Sequence, residues 1–140
     1  MRIACLHTAE SNIAVFEEAA RALGIPPYVL QHEVRADLLV AAENAGGMTT
    51  DIADAARLAL IALAQTADAV ILTCSTLGAS VDSIAANTGV PILRTDEALA
   101  TAAAHVGGRI VALCAVETTI GPTSQLFCDA VRHSDASVEV

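Results

Sequence analysis

The chain has 140 residues, of which 54% are hydrophobic, and this length and composition suit one compact globular domain. The formal net charge is −9, and all seven basic residues are arginine. Without lysine the chain builds no Schiff base with pyridoxal phosphate, no P-loop phosphate site and no lysine general base. An acidic chain without a basic patch also argues against nucleic acid as a partner.

Strand and helix patterns alternate along the first half of the chain. Short apolar runs are followed by apolar residues at helical spacing, and glycine or proline ends the first two helices. The predicted elements are a strand at 3–6 that ends in His7-Thr8, a helix at 13–23, a strand at 28–30, a helix at 36–44 and a longer helix that Thr49 or Thr50 caps. The inner stripe predicted for the longer helix is Ile52, Ala55, Leu58, Ala59 and Ala62.

The second half continues the alternation. Residues 69–73 read as a central parallel strand buried on both faces, because apolar residues follow one another without a break. The later elements are a helix at 80–87, a strand at 90–93, a helix at 96–105 that Thr95 caps, a strand at 109–114, a helix at 119–132 and the start of a strand at 138–140. This order predicts an α/β fold with a parallel sheet flanked by helices.

The four cysteines are widely separated and form no Cys-x-x-Cys pair, so we predict neither a zinc ribbon nor a redox dithiol. No set of His, Cys and carboxylate residues has ligand spacing in the sequence, and we expect no metal and no cofactor. The chain starts without a signal-peptide pattern and has no apolar run that would span a bilayer, so we expect a cytoplasmic protein without a membrane partner and without disulfides. We expect Cys5 and Cys114 to fill core space on their strands.

Cys74 has the sequence setting most typical of an active site. Cys74 follows a predicted buried strand and begins a hydroxyl-rich turn. We expect a helix to start directly after this turn. In parallel α/β sheets ligands bind beyond the carboxyl ends of strands, and a helix N-terminus there favours the reactive thiolate. The alternative is that Cys74 is one more small buried residue.

Two segments resemble the aspartate/glutamate/hydantoin racemase superfamily, which also contains arylmalonate decarboxylase and maleate isomerase. Thr73-Cys74-Ser75-Thr76 is similar to the Thr-Cys-Asn-Thr motif at the end of a family strand, and residues 111–119 are similar to a later strand with a threonine turn. Residues 90–98 look like the link between the two lobes of that family. The resemblance implies an α/β lobe at 1–94 and the start of a second, incomplete lobe at 95–140.

The resemblance also implies chemistry and site residues. Family members move a proton at the carbon beside a carboxylate, with one cysteine on each face of a small substrate and no cofactor. Cys74 would be the first base, and the carboxylate would be bound by the remaining predicted residues, which are Ser75, Thr76, Thr118, Thr119, His7 and Thr8. The alternative for His7 is that it approaches Cys74 and shifts the pKa of the thiol.

The sequence departs from the family in its second cysteine, because residue 140 comes before the strand that would carry it. We therefore expect a short or truncated racemase or isomerase that acts on a small carboxylate such as aspartate, glutamate or a hydantoin. One alternative is a catalytically silent relative that binds carboxylates or serves in assembly, and a weaker one is a decarboxylase of the arylmalonate type. An edge strand cut off at residue 138 favours association, so a homo-oligomer is expected.

His32, Glu33 and Arg35 are further candidates at the carboxyl end of the second predicted strand. Arginine suits bidentate binding of a carboxylate. The alternative is a solvated loop that leads into the next helix.

Overall fold

A computed structural model describes residues 1–84, 88–134 and 138–139, the last pair by its backbone alone. The predicted α/β class is confirmed, because four parallel strands form a sheet in the order β2-β1-β3-β4 with helices packed against it. These strands are β1 (Ile3–His7), β2 (Leu30–Val34), β3 (Ala69–Leu72) and β4 (Ile92–Arg94). The predicted boundary between residues 94 and 95 stays a prediction.

Six α-helices lie in the described residues, and two further short strands pair with each other. None of these helices combines the length and the apolar character that crossing a membrane requires. The elements are α1 (Ser11–Ala22), α2 (Ala36–Ala45), α3 (Thr50–Ala64), α4 (Ala79–Asp82), α5 (Thr95–Val106), β5 (Gly108–Arg109), α6 (Ile120–Arg132) and β6 (Val138–Glu139).

One face of the four-stranded sheet, here called the core face, is apolar and closed. Neighbouring strands place small and branched side chains side by side on it, and these pack against buried residues of α2 and α3 such as Leu38 and Leu60. Alternation along each strand puts every second residue on this face. The strand residues of the core face are Ala4, Leu6, Val70, Leu72 and Ile92.

The opposite face, here called the α1 face, is more polar and less covered. Helix α1 approaches it through Phe16, whose ring meets the His7 ring edge-on with centroids 5.4 Å apart. At the other end of the sheet Leu93 is 53% exposed. The residues that define this face are Cys5, His7, His32, Ile71 and Leu93, as the strand register and the alternation of side chains require.

The position of the second strand was predicted wrongly. Residues Pro27–Val29 form a 3₁₀ turn, and the strand runs over Leu30–Val34. His32 and Glu33 therefore lie within β2 and do not follow it. As an edge strand, β2 can carry polar side chains that would not suit a central strand. The search for apolar runs therefore did not identify it as a strand.

The strand predicted at 109–114 is almost entirely absent. Only Gly108–Arg109 is a strand, paired in parallel with Val138–Glu139, and the backbone from residue 110 to 114 has no regular structure. Val111 is 74% exposed and Leu113 is 94% exposed. The apolar composition of this segment suggested a buried strand, but no described strand pairs with it beyond Arg109. Residue 140, also assigned to the last strand, lies outside the described residues.

The helix termini follow the predictions in most places. Thr49 accepts a hydrogen bond from the backbone N–H of Ile52 at 3.4 Å and so caps α3, and Gly46 ends α2 in the left-handed conformation. Thr95 does not cap α5; it is the first helical residue, and its hydroxyl donates to the carbonyl of Leu72 at 3.4 Å. Of the predicted helix at 80–87, residues 80–82 are helical as part of α4, residues 83–84 form a turn, and residues 85–87 lie outside the described residues.

The inner stripe of α3 was predicted only in part. Ile52 and Ala59 are buried, but Leu58 is 63% exposed. Ala56 and Leu60 occupy the buried positions instead, because the helix is rotated slightly from the predicted orientation. Of the remaining members of the predicted stripe, Ala55 is half-buried and Ala62 is exposed.

Candidate functional site

Cys74 lies where the chain leaves the sheet after β3. It is half-buried, packs partly against the core, and has extended backbone before the 3₁₀ turn Ser75–Leu77. The helix expected at this point is only the four-residue α4, which follows that turn. A turn and a helix this short carry little macrodipole, so hydroxyl groups are the main anion-binding donors beside the thiol.

The two threonine-rich turns meet beside Cys74. Thr76 is almost fully buried, and its hydroxyl lies 3.2 Å from the hydroxyl of Thr118. The Thr119 hydroxyl donates to the carbonyl of Val116 at 2.7 Å, within the turn Glu117–Thr119. The structure therefore brings together the two segments that the sequence assigned to carboxylate binding. The hydroxyls of Thr76 and Thr118, however, are hydrogen-bonded to each other.

A mostly apolar cavity of about 510 Å³ opens next to these turns. Ser75 and Thr119 supply polar groups to its wall, and Cys114 also lines it. Cys74 is not among its lining residues. Cys114 was expected in the core but is exposed, because the segment that carries it is not a strand.

His7 and Thr8 are both buried, His7 completely. The hydrogen bonds of His7 go to Thr73 and His32: Nδ1 lies 2.8 Å from the Thr73 hydroxyl, and Nε2 lies 2.9 Å from Nδ1 of His32. His7 thus contacts the residue before Cys74. Substrate contact by His7 and Thr8 stays a prediction.

The hydroxyl of Thr73 is bonded to His7 and to two other groups. It lies 3.2 Å from the carbonyl of Leu6, to which it can donate, and it accepts from the amide of Asn12 at 3.4 Å. When its proton is directed at the Leu6 carbonyl, it accepts from His7, so Nδ1 of His7 carries the ring proton and Nε2 presents a lone pair. That lone pair accepts from Nδ1–H of His32, whose ring stacks on that of His7 with centroids 5.1 Å apart.

Burial keeps Cys5 and His7 of the α1 face uncharged. Desolvation lowers the pKa of His7 below its usual range, and charge on His32 would lower it further. Desolvation alone raises the pKa of the Cys5 thiol to about 11. At neutral pH, Cys5 is therefore a neutral thiol and His7 a neutral imidazole.

Cys5, His7 and His32 form a group that the sequence analysis missed. One ligand atom from each of the three side chains lies within 4.8 Å of the others. Cys5 and His7 share a face because they are two residues apart on β1, and the register places His32 directly opposite Cys5. The Cys-x-His spacing was visible in the sequence. The third member was not, because the strand at 28–30 was placed too early.

The arginines near the site are already paired. Both Nε and Nη2 of Arg35 donate to the carboxylate of Asp37 at 2.8 Å. Arg94 is buried and donates to Asp96 at 3.0 and 2.9 Å. Its guanidinium lies so close to Gly78 that a Cβ at that glycine would be 2.2 Å from Nη2. Neither arginine offers a free fork for a substrate carboxylate.

The fold and the site define the class: an α/β protein with a parallel four-stranded sheet, a half-buried thiol at the carboxyl end of a central strand, and a Cys/His/His group on one face. Comparison of the chain with protein-family models, with curated proteins and with solved structures finds no match.

Proposed function

We propose that the protein is a cofactor-independent racemase or isomerase that moves a proton on a small carboxylate through the thiolate of Cys74. One observation carries the proposal: the hydroxyls of Thr76 and Thr118 meet at 3.2 Å, so the turn that directly follows Cys74 in the chain lies against the second threonine turn. Separate segments that bring hydroxyl donors together beside a nucleophile resemble the carboxylate site of the aspartate/glutamate/hydantoin racemase superfamily.

The cavity beside the turns supports a small substrate. Its volume of about 510 Å³ is within the range of small-molecule sites, and its wall carries few polar groups. Ser75, Thr119 and Thr123 are the hydroxyl residues that line it. Ser75 and Thr119 would hold the carboxylate, and Thr119 would exchange its hydrogen bond to the carbonyl of Val116 for one to the substrate. An apolar remainder of the wall would raise the strength of those hydrogen bonds by excluding water.

The proposed step removes the proton from the carbon beside the carboxylate. The Cys74 thiolate takes this proton and becomes a thiol, and the electron pair stays on the substrate as an enolate-like anion. Donors around the carboxylate stabilise that anion. Return of a proton from the same thiol restores the original configuration, whereas inversion needs a second acid on the opposite face, which the resemblance does not locate in this chain.

Hydrogen exchange tests the proposal directly. The protein is incubated in deuterated water with aspartate, glutamate and a hydantoin, and loss of the α-proton signal is followed by NMR. We expect the wild-type protein to catalyse exchange and Cys74→Ala to lose it. Cys128→Ala should keep the wild-type exchange rate, since Cys128 lies exposed on α6. Ser75→Ala should weaken substrate binding and lower the exchange rate at low substrate concentration.

Absence of exchange with all three compounds, from protein with native circular dichroism, would overturn the proposal. A carboxylate that still protects Cys74 from alkylation would then indicate the catalytically silent, carboxylate-binding alternative. Exchange that survives Cys74→Ala would show that another group is the base.

Self-association and a cytoplasmic location belong to the same proposal. The exposed side chains of Val111 and Leu113 offer apolar surface for contact between copies. Sedimentation of the purified protein checks the first expectation, and fractionation of the cells that produce it checks the second.

A further inference from the structure

The thiol of Cys5 and the imidazoles of His7 and His32 have the chemistry of a transition-metal site. Thiolate and imidazole together suit zinc and copper, whereas magnesium and calcium require oxygen ligands. The three ligand atoms lie within 4.8 Å of one another, and Cys5 and His7 are fully buried. All three residues lie on regular strands, so the sheet holds their backbones at fixed spacing.

The distances are close to what a bound ion requires. Zinc lies about 2.0–2.1 Å from imidazole nitrogen and about 2.3 Å from thiolate sulfur, so tetrahedral ligand atoms are roughly 3.3–3.6 Å apart. Nε2 of His7 and Nδ1 of His32 are 2.9 Å apart. Binding would move these two nitrogens apart by about 0.4–0.7 Å and would bring any pair near the 4.8 Å limit closer by roughly 1 Å, by rotation of side chains on strands that stay in place.

The hydrogen bonds around the group favour ligation in two ways. The Thr73 hydroxyl can accept from Nδ1–H of His7, and in that tautomer the Nε2 lone pair is directed at the group, as in metal sites where an outer partner orients the ligand. Nε2 of His32 is buried and has no hydrogen-bond partner among the described residues. Buried nitrogens are rarely unpaired, so protein atoms alone leave this network incomplete.

We propose that Cys5, His7 and His32 bind one transition-metal ion of the zinc or copper(I) type and thereby join β1 to β2. On binding, the Cys5 thiol releases its proton to solvent and the sulfur forms a bond to the metal. The ring proton of His32 moves from Nδ1 to Nε2, so that Nδ1 offers its lone pair to the metal and no longer donates to His7. A small ligand such as water supplies the fourth position of zinc, from the side of the half-buried His32. This site lies on the α1 face, and its occupancy does not depend on proton transfer at Cys74.

Cobalt(II) is the first probe, because a cobalt–thiolate bond gives a charge-transfer absorption. The protein is stripped with a chelator, kept reduced with a phosphine and titrated with Co²⁺ and then Zn²⁺. The exposed thiols are removed beforehand by C114S and C128S. We expect one equivalent of Co²⁺ with the charge-transfer band, its displacement by Zn²⁺, and a higher unfolding temperature in the presence of Zn²⁺.

Variants assign the ligands. Cys5→Ala should abolish the charge-transfer band, and His32→Gln should weaken binding about tenfold or more, since changes even to groups behind a ligand have effects of this size. Cys74→Ala and His105→Gln are the matched controls, because Cys74 lies beyond β3 and the ring of His105 bonds within its own helix. Both should retain one equivalent with unchanged affinity.

Two results would overturn the proposal: no uptake of Co²⁺ or Zn²⁺ by folded protein, or binding that Cys74→Ala removes and His32→Gln leaves intact. His32 is half-buried on an edge strand, so its glutamine variant remains decisive if Cys5→Ala fails to fold. Exchange by Cys74 measured in the presence of the chelator separates failure of this site from failure of the proposed enzyme activity.

Discussion

The two faces of the four-stranded sheet are built from the same strands but differ in chemistry. The core face is apolar over its buried centre, has Arg94 at its polar end and is closed by α2 and α3, whereas the α1 face carries a thiol and two imidazoles and leaves Leu93 half exposed. Because neighbouring residues on a strand point to opposite faces, each strand contributes to both. Stability and chemistry can therefore be assigned to alternate positions, and single substitutions can separate them.

The largest expected effect comes from the core face. Leu72 of β3 is 1% exposed, and Leu72→Ala should lower the free energy of unfolding by about 2–5 kcal/mol because it leaves a cavity in the core. Leu93→Ala on β4 is the matched change on the other face and should lower it by less than about 1 kcal/mol, since that side chain is 53% exposed. Urea denaturation measures both. Equal losses would show that the α1 face is as closed as the core face.

Removal of a single hydroxyl tests the polar network of the α1 face. Thr73→Val keeps the shape of the side chain but leaves Nδ1–H of His7 buried without an acceptor, so we expect a loss of about 1–3 kcal/mol. Thr73→Ser keeps the hydroxyl and should recover most of that loss. The measurement is again urea denaturation, with NMR of the imidazole protons as a local report. A valine variant as stable as the serine variant would contradict the network.

The polar end of the core face is tested at Gly78. A Cβ there would meet the buried guanidinium of Arg94 at 2.2 Å, so Gly78→Ala must displace a group that is bonded to Asp96. We expect a loss of about 1–3 kcal/mol from overpacking, at the lower end if the side chain adjusts. Gly121→Ala is the control, because nothing lies within 4 Å of its Cβ position and alanine favours helix. Thermal unfolding should show opposite signs for the two variants.

Much of the fold could be predicted because local patterns and packing agree. The consecutive apolar residues of β3 and the glycine stop of α2 are determined by nearby sequence, and both were predicted correctly. The position of β2 was predicted two residues too early because an edge strand needs no apolar run. The segment around Leu113 misled for the opposite reason: it has a strand composition, but strands form only where a partner strand supplies hydrogen bonds.

The candidate sites differ in how much of each could be predicted from the sequence. Cys74 and Ser75 are adjacent in the chain, so their motif was visible directly. The association of Cys5 with His32 depends on the register between two strands, and single-residue register is not encoded in either strand alone. The pairing of Thr76 with Thr118 likewise depends on the tertiary fold.

The hydroxyl of Thr73 restricts the orientation of the next residue, Cys74. It is bonded to the Leu6 carbonyl, to the Asn12 amide and to the His7 ring, so rotation of this one side chain would break three contacts at once. The direction in which the backbone leaves the sheet is thereby set from the α1 face. Cys74 takes no part in these bonds, yet the orientation of its thiol is inherited from them.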